Sequence, residues 1–179
     1  WLAPIMPFTM EEVWLSRFPS EDDSVHLRTF PKTPKDWHDG ALAENWRTIR
    51  RLRRAVTGAL EVERREKRIG SSLEAAPHVY VADPSYRAAM KAEAPGGDVD
   101  DFLAEIAITS QAYLVEDAPP AEAFRVDDIA DIAIVSAKAD GEKCARSWKY
   151  STQIGADKRY PDLSPRDAEA VAWWDAEHG

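Results

Sequence analysis

"WRTIRRLRRAVTGALEVERREKRIG", residues 46–70, decides how this chain folds. At about 100° per residue, Ile49, Leu52, Ala55, Val56, Ala59 and Leu60 share one side of a helix. Arg47, Arg50, Arg51, Arg54, Arg65 and Arg68 fall in an arc of roughly 100° on the opposite side. Only Glu61 interrupts that arc. The pattern predicts a helix over residues 41–69, stopped by Gly70 in the left-handed conformation. The arginine side has two readings. It is either a solvated face whose stems cover apolar surface, or a track for a polyanion. Solvated faces ordinarily mix signs, and the planar guanidinium fork is the side chain best matched to phosphate.

Composition frames that choice. The chain has 179 residues, 44% of them apolar, enough for one medium domain or two small ones with real cores. The net charge of −9 argues at first against a nucleic-acid partner. Residues 46–68, however, hold nine Lys/Arg against three Glu, and local fields rather than totals steer a polyanion. No apolar run approaches the about 18 residues a membrane-crossing helix requires. One cysteine, Cys144, excludes an internal disulfide framework and suits a reducing cytoplasm. The start, "WLAPIMPF", carries no signal pattern and reads as a cut into a longer protein.

The rest of the chain changes texture on either side of the helix. Residues 7–18 read as a helix opened by a Thr9/Glu12 capping box, with Met10, Val13, Trp14 and Phe18 on one side. Residues 19–40 form a long connector, in which "VHLRTF" is expected to be extended. Strands are predicted at "HVYVAD" (78–83), "QAYLVED" (111–117) and "DIAIVSAKA" (131–139). A helix capped by Ser85 runs through Ala94, and another covers residues 98–109. Residues 140–163 read as irregular, before a last helix with Ser164 as N-cap, Pro165 in the first turn and Asp167 at the third position. The fold class is α+β, mainly α: a helical bundle over 1–72, a small α+β part over 73–139, and a tail with a C-terminal helix over 140–179. Phosphate-binding loops, dinucleotide fingerprints, metalloprotease motifs and nucleophile elbows are absent. Acidic pairs such as Asp100-Asp101 and Asp127-Asp128 read as helix caps or solubilising surface.

Four stretches carry a resemblance. "LAPIMPFTMEEVW" (2–14), "SVHLRTFP" (24–31), "EKRIGSSLEA" (66–75) and "GEKCARSWKY" (141–150) together resemble the C-terminal third of a bacterial isoleucyl-tRNA synthetase of class I. The first stretch is shared with the valine and leucine enzymes, and the last two favour isoleucine. The last resembles the family's zinc knuckle, which has two Cys-x-x-Cys pairs. On this chain the four ligand positions fall on Cys144, Ser147, Ser164 and Asp167. One cysteine of four is present, and a closed zinc site needs four good ligands, so the resemblance implies that the zinc has been lost. Packing of Trp148, Tyr150, Tyr160, Trp173 and Trp174 is expected to supply the folding energy instead.

The resemblance also implies a role. The whole enzyme attaches isoleucine to its tRNA with ATP and Mg²⁺, in catalytic and editing domains upstream of these residues. This part would need no cofactor and would grip the anticodon stem and loop as a cytoplasmic monomer, away from membranes. Arg47, Arg50, Arg51 and Arg54 would follow stem phosphates, and Arg64, Arg65, Lys67 and Arg68 would continue that track. Arg146 and Trp148 would meet the loop, the tryptophan by stacking on an unpaired base; the alternative for Trp148 is a core position. A free-standing tRNA-binding protein derived from a synthetase tail, or a protein-interaction module without RNA, remain alternatives.

Overall fold

The computed structural model describes residues 1–178 and divides the chain into two compact units, Trp1–Asp39 and Gly40–Gly179. In the first, helix α1 (Pro7–Arg17) opens after Met6 with proline in its first turn and no side-chain cap. The expected Thr9/Glu12 capping box is therefore not used, because the helix begins before Thr9. Glu11 instead reaches back over the chain: its carboxylate accepts from the Ser24 hydroxyl at 2.9 Å and the Val25 N–H at 3.0 Å. That bond closes a 3₁₀ turn at Val25–Leu27 where an extended segment was expected. Trp14 stacks obliquely on Phe18, with ring centroids 4.6 Å apart. No residue of α1 is buried, and Phe8 is 89% exposed.

The second unit is organised by α2 (Gly40–Arg65). Its buried residues are Ile49, Leu52, Ala55, Val56, Ala59 and Leu60, the same six that the 3.6-residue period puts on one side. They pack against a four-stranded sheet of order β2-β1-β4-β3, built from β1 (His78–Val81), β2 (Tyr113–Val115), β3 (Phe124–Val126) and β4 (Ile129–Val135). β1 pairs parallel with β2 and antiparallel with β4, and β4 turns back on β3. Helices α3 (Pro84–Glu93) and α4 (Val99–Ala107) supply the β1-to-β2 crossover and join the same core. Gly58 lets the helix and the edge strand approach: a Cβ there would lie 3.4 Å from the Phe124 ring. Strand β3 was not expected, since three residues of "FRV" carry no period of their own. The sequence reading set α2 apart from the α+β part at residue 72; its apolar side is instead the floor on which the sheet sits.

Local chemistry explains the ends. α2 stops at Arg65 in a Schellman motif: Arg68 N–H donates to Glu63 O at 2.9 Å and Lys67 N–H to Arg64 O at 3.0 Å. The left-handed residue is Lys67, with φ 58°, and not Gly70. α3 is capped by Asp83, whose carboxylate accepts from the Ser85 N–H, rather than by Ser85. Asp98 caps α4 by accepting from two N–H groups. The outer edge of β2 is closed by side chains: Leu114 N–H donates to Asp100 at 2.8 Å and Arg87 donates to Leu114 O at 2.7 Å. An exposed pairing edge is thereby removed.

The segment expected to be irregular contains a short hairpin, β5 (Glu142–Lys143) with β6 (Tyr150–Ser151). Gly141 permits it, with φ 91° and no room for a Cβ, which would lie 2.2 Å from the Ser151 backbone. Helix α5 (Pro165–His178) follows. Among the described residues no helix is long and apolar enough to cross a membrane.

A polar network joins α3 to α2 and β4 at the rim of the core. Tyr86 is buried and its hydroxyl donates to Asp131 at 2.8 Å, while Arg51 approaches the same carboxylate at 3.5 Å. Burial first, then the Asp131 bond, pushes the Tyr86 phenol up to about 12. The folded state therefore holds a proton that the unfolded chain releases near its ordinary value of about 10. This contribution to stability is complete below about pH 10 and is lost as pH rises towards 12. Thermal melts of the Tyr86→Phe variant should accordingly lose less stability between pH 10 and 12 than those of the unaltered chain.

Candidate nucleic-acid interface

All ten residues nominated from the sequence lie in the second unit, and each is exposed. The structure separates them by what they already touch. Arg54 makes two hydrogen bonds to Asp128, at 2.9 and 3.3 Å, and Arg51 faces Asp131. Asp128 lies in the β3–β4 turn and Asp131 in β4, so these two arginines link helix to sheet. Arg53, from the side of the helix, donates to Ile106 O at 2.8 Å. Arg47 pairs with Glu44 and Arg64 with Glu61, each one turn away. Arg68 is held between Glu63 and Glu66, and its bidentate bond keeps the Glu63 carboxyl below the usual range although partial burial works the other way. Among the described residues, Arg50, Arg65 and Lys67 have no carboxylate in ion-pair reach and no side-chain hydrogen bond. They are the positions where the local field is uncompensated. Exposed pairs are worth only about 0–1 kcal/mol, so Arg47 and Arg64 are readily exchanged to another anion.

Lys67 holds its place at a cost. A residue with a Cβ in the left-handed region loses roughly 1–2 kcal/mol, and glycine ordinarily occupies this helix-end position. Of the three non-glycine residues with positive φ among the described residues, two, Lys67 and Trp148, are among those nominated. The third is Ile108, at the end of α4.

The tail is built around one carboxylate. Cys144, Ser147, Ser164 and Asp167, spread over 24 positions, converge. The Cys144 thiol donates to Asp167 Oδ2 at 3.1 Å, and the Ser164 hydroxyl donates to the same oxygen at 2.9 Å. Ser164 N–H points at Cys144 Sγ, 3.4 Å away, and Asp167 N–H returns to Ser164 Oγ at 3.3 Å as the expected N-cap. Arg146 faces the other carboxylate oxygen at 3.6 Å. Burial opposes ionisation of Asp167, but the Ser147, Cys144 and Ser164 bonds with the Arg146 charge hold its carboxyl below the usual range. Burial likewise opposes the Cys144 thiolate, and donors from Ser147 and the Ser164 backbone outweigh it, leaving the thiol below its ordinary value. One thiol, one carboxylate and two neutral hydroxyls do not fit zinc. Among the described residues no three His, Cys, Asp or Glu side chains stand together to hold a metal. The cluster is an anion ringed by donors, standing at the four positions that the resemblance assigned to metal ligands.

Of the aromatic packing expected around this cluster, Tyr160 lies against its core and the three tryptophans do not. Trp148, Trp173 and Trp174 are 60%, 62% and 56% exposed. Cys144, Leu163 and Ala168 form the small core, with Ile154, Tyr160 and Val171 against it. Trp148 is thus no core residue. It sits at the tip of the β5–β6 hairpin, its N–H bonded to Cys144 O at 3.0 Å and one ring face covered by Lys143 Nζ, 4.9 Å from the centroid. Lys143 was missed in the sequence; no spacing rule pairs it with Trp148 across a loop.

Residues 1–80 match the family described as the anticodon-binding domain of tRNA ligase. The chain is 52% identical over 171 residues, 96% of its length, to an isoleucine-tRNA ligase of Agrobacterium fabrum, and equally to one of Brucella abortus. It is 50% identical over 181 residues to that of Rhodopseudomonas palustris. The resemblance read from the four motifs is borne out: over nearly its whole length this chain is about half identical to isoleucine-tRNA ligases. It spans about 17% of the length of the curated relatives it matches.

Two outcomes follow from the geometry. Lys67→Gly, which relieves the left-handed backbone, should raise the melting temperature by a few degrees, as about 1 kcal/mol does in a chain of this size. Asp167→Ala, which strands three donors, should lower stability by about 2–3 kcal/mol, whereas Cys144→Ser, which keeps a donor, should cost less. Urea melts would show the order; equal losses, together with sensitivity to EDTA, would mark a metal site instead.

Proposed function

We propose that this chain, isoleucine-tRNA-ligase-like along its length and carrying the anticodon-binding domain in residues 1–80, grips the anticodon stem and loop of isoleucine tRNA as the C-terminal part of such a ligase. The observation that carries the reading is the unpaired set Arg50 and Arg65 on the outer side of α2 and Lys67 at its exit, together with the exposed Trp148 on the hairpin. The cations take stem phosphates and fix register, and Trp148 offers its open face to an unpaired loop base. Arg47 and Arg64 join the track by exchanging their carboxylates for phosphate, Arg146 supports the hairpin tip, and Arg51, Arg54 and Arg68 contribute least because their partners hold them in place.

Attachment of isoleucine with ATP and Mg²⁺, and editing, belong to further domains of the same longer chain. The apolar residues left exposed in and beside α1, Ile5, Phe8, Val13 and Phe18, support packing against such segments. The tail works without zinc, the Asp167 hydrogen-bond cluster doing the structural work, and the assembled enzyme is a cytoplasmic monomer. Elemental analysis of the purified protein should find well under one zinc per chain.

The RNA reading is tested by filter binding with isoleucine tRNA at several salt concentrations. Arg50→Ala/Arg65→Ala/Lys67→Ala should weaken binding and flatten the log–log salt slope by about 2–3, roughly one per lost phosphate contact. Arg54→Ala should flatten it by much less. Trp148→Ala should leave the slope nearly unchanged and reduce discrimination between anticodons; equal weakening for unrelated tRNAs would remove the stacking role.

A further inference from the structure

Two contact regions of the proposed interface, the exit of α2 with Lys67 and the hairpin with Trp148, are far apart in sequence and yet belong to one compact unit. What joins them is the α4–β2 connection. The Ser110 hydroxyl donates to Leu73 O at 2.6 Å, in the 3₁₀ turn Ser72–Glu74 that follows α2. The same oxygen accepts from the N–H of Tyr150, the first residue of β6, at 2.7 Å. Next to it, the Gln111 amide acts as a strand: Nε2 donates to Asp140 O at 3.1 Å and Oε1 accepts from Asp140 N–H at 3.0 Å, one residue before the Gly141 bend. Ala139 N–H donates to Glu74 O at 2.8 Å, and Ala75 bridges Lys138.

We propose that Ser110 and Gln111 are positioning residues for RNA binding, setting the spacing between the α2 exit and the Trp148 hairpin; this rests on the anticodon stem-loop reading given above. Ser110 is half-buried and touches neither Lys67 nor Trp148, so it acts only through the segments it ties. One hydroxyl has one proton and two lone pairs, so it supplies the donor for Leu73 and the acceptor for Tyr150 at once. Alanine loses both bonds, and threonine retains both. Two contacts on one rigid body reach the RNA together, the second at a high effective concentration set by the first. A loosened joint leaves each contact intact and lowers that concentration.

The test is a double-mutant cycle in the whole chain, with the isoleucine tRNA anticodon stem-loop as probe and an unrelated stem-loop as control. Ser110→Ala/Gln111→Ala should weaken binding about tenfold, and in that background Trp148→Ala should cost a smaller factor than in the unaltered chain. Ser110→Thr should bind as the unaltered chain does. If the double variant melts below the assay temperature, the cycle is read in Gln111→Ala alone. An unchanged affinity of the loosened variant, or the same factor for Trp148→Ala in both backgrounds, overturns the positioning role while leaving the RNA reading standing. If the unaltered chain does not bind, or Lys67→Ala and Trp148→Ala are without effect in it, the RNA reading fails and the joint falls with it.

Discussion

The helix period of 3.6 residues is the constraint on which the second unit depends. Once Ile49, Leu52, Val56 and Leu60 are buried against β4, β3 and the two crossover helices, the directions of Arg47, Arg50, Arg54 and Arg65 follow without further choice. Each fully buried Ile, Leu or Val contributes about 1.5–3 kcal/mol of transfer free energy, so the apolar side overrides any preference of the arginines. The core and the basic face are two consequences of one register. A slip of one residue in the helix would turn the stripe by about 100° and bury guanidinium groups.

Burial directs the arginines outward but does not leave them all available. The hairpin between β3 and β4 brings Asp128 and Asp131 against the middle of α2, and those carboxylates convert two members of the stripe into fasteners. Arg50 beside them, and Arg65 and Lys67 at the exit of the helix, keep no such partner among the described residues. The same logic of neutralisation governs the tail. A carboxylate left alone in a small core would be costly; Asp167 is tolerated because thiol, hydroxyl and guanidinium donors surround it. Cys144 and Ser164 are thereby kept in register with the start of α5, and the loop carrying Arg146 and Trp148 is held at its base.

Much of this was legible. The α2 core residues, the Ser164 N-cap, three of the four sheet strands and the convergence of Cys144, Ser147, Ser164 and Asp167 followed from period, capping chemistry and motif likeness. The misreadings have particular causes. Gly70 looked like the helix stop because glycine favours positive φ, yet the chain turns at Lys67, where the 6→1 and 5→2 bonds close. Ser85 and Asp83 are both capable caps, and Pro84, fixed in the first turn, selects the residue before it. Trp173 and Trp174 were expected to pack in the tail, and a core position was the alternative for Trp148, but a core of Cys144, Leu163 and Ala168 is too small to take them.

Sequence by itself determined which residues of α2 face inward, that its outer side is basic, and which family the chain resembles, because each is written in spacings of a few residues or in contiguous motifs. Only the tertiary structure decided which arginines are already occupied, that Trp148 stands in solvent with Lys143 on one face, and that Ser110 ties the α2 exit to the hairpin. Apart from the local pairs of Arg47, Arg64 and Arg68 and the five-residue reach of Lys143, those outcomes depend on partners from 37 positions (Ser110 to Leu73) to 80 positions (Arg51 to Asp131) away. No local propensity encodes such a pairing; it appears when hydrophobic burial brings the segments together and leaves each polar group to find the neighbour that burial has placed beside it.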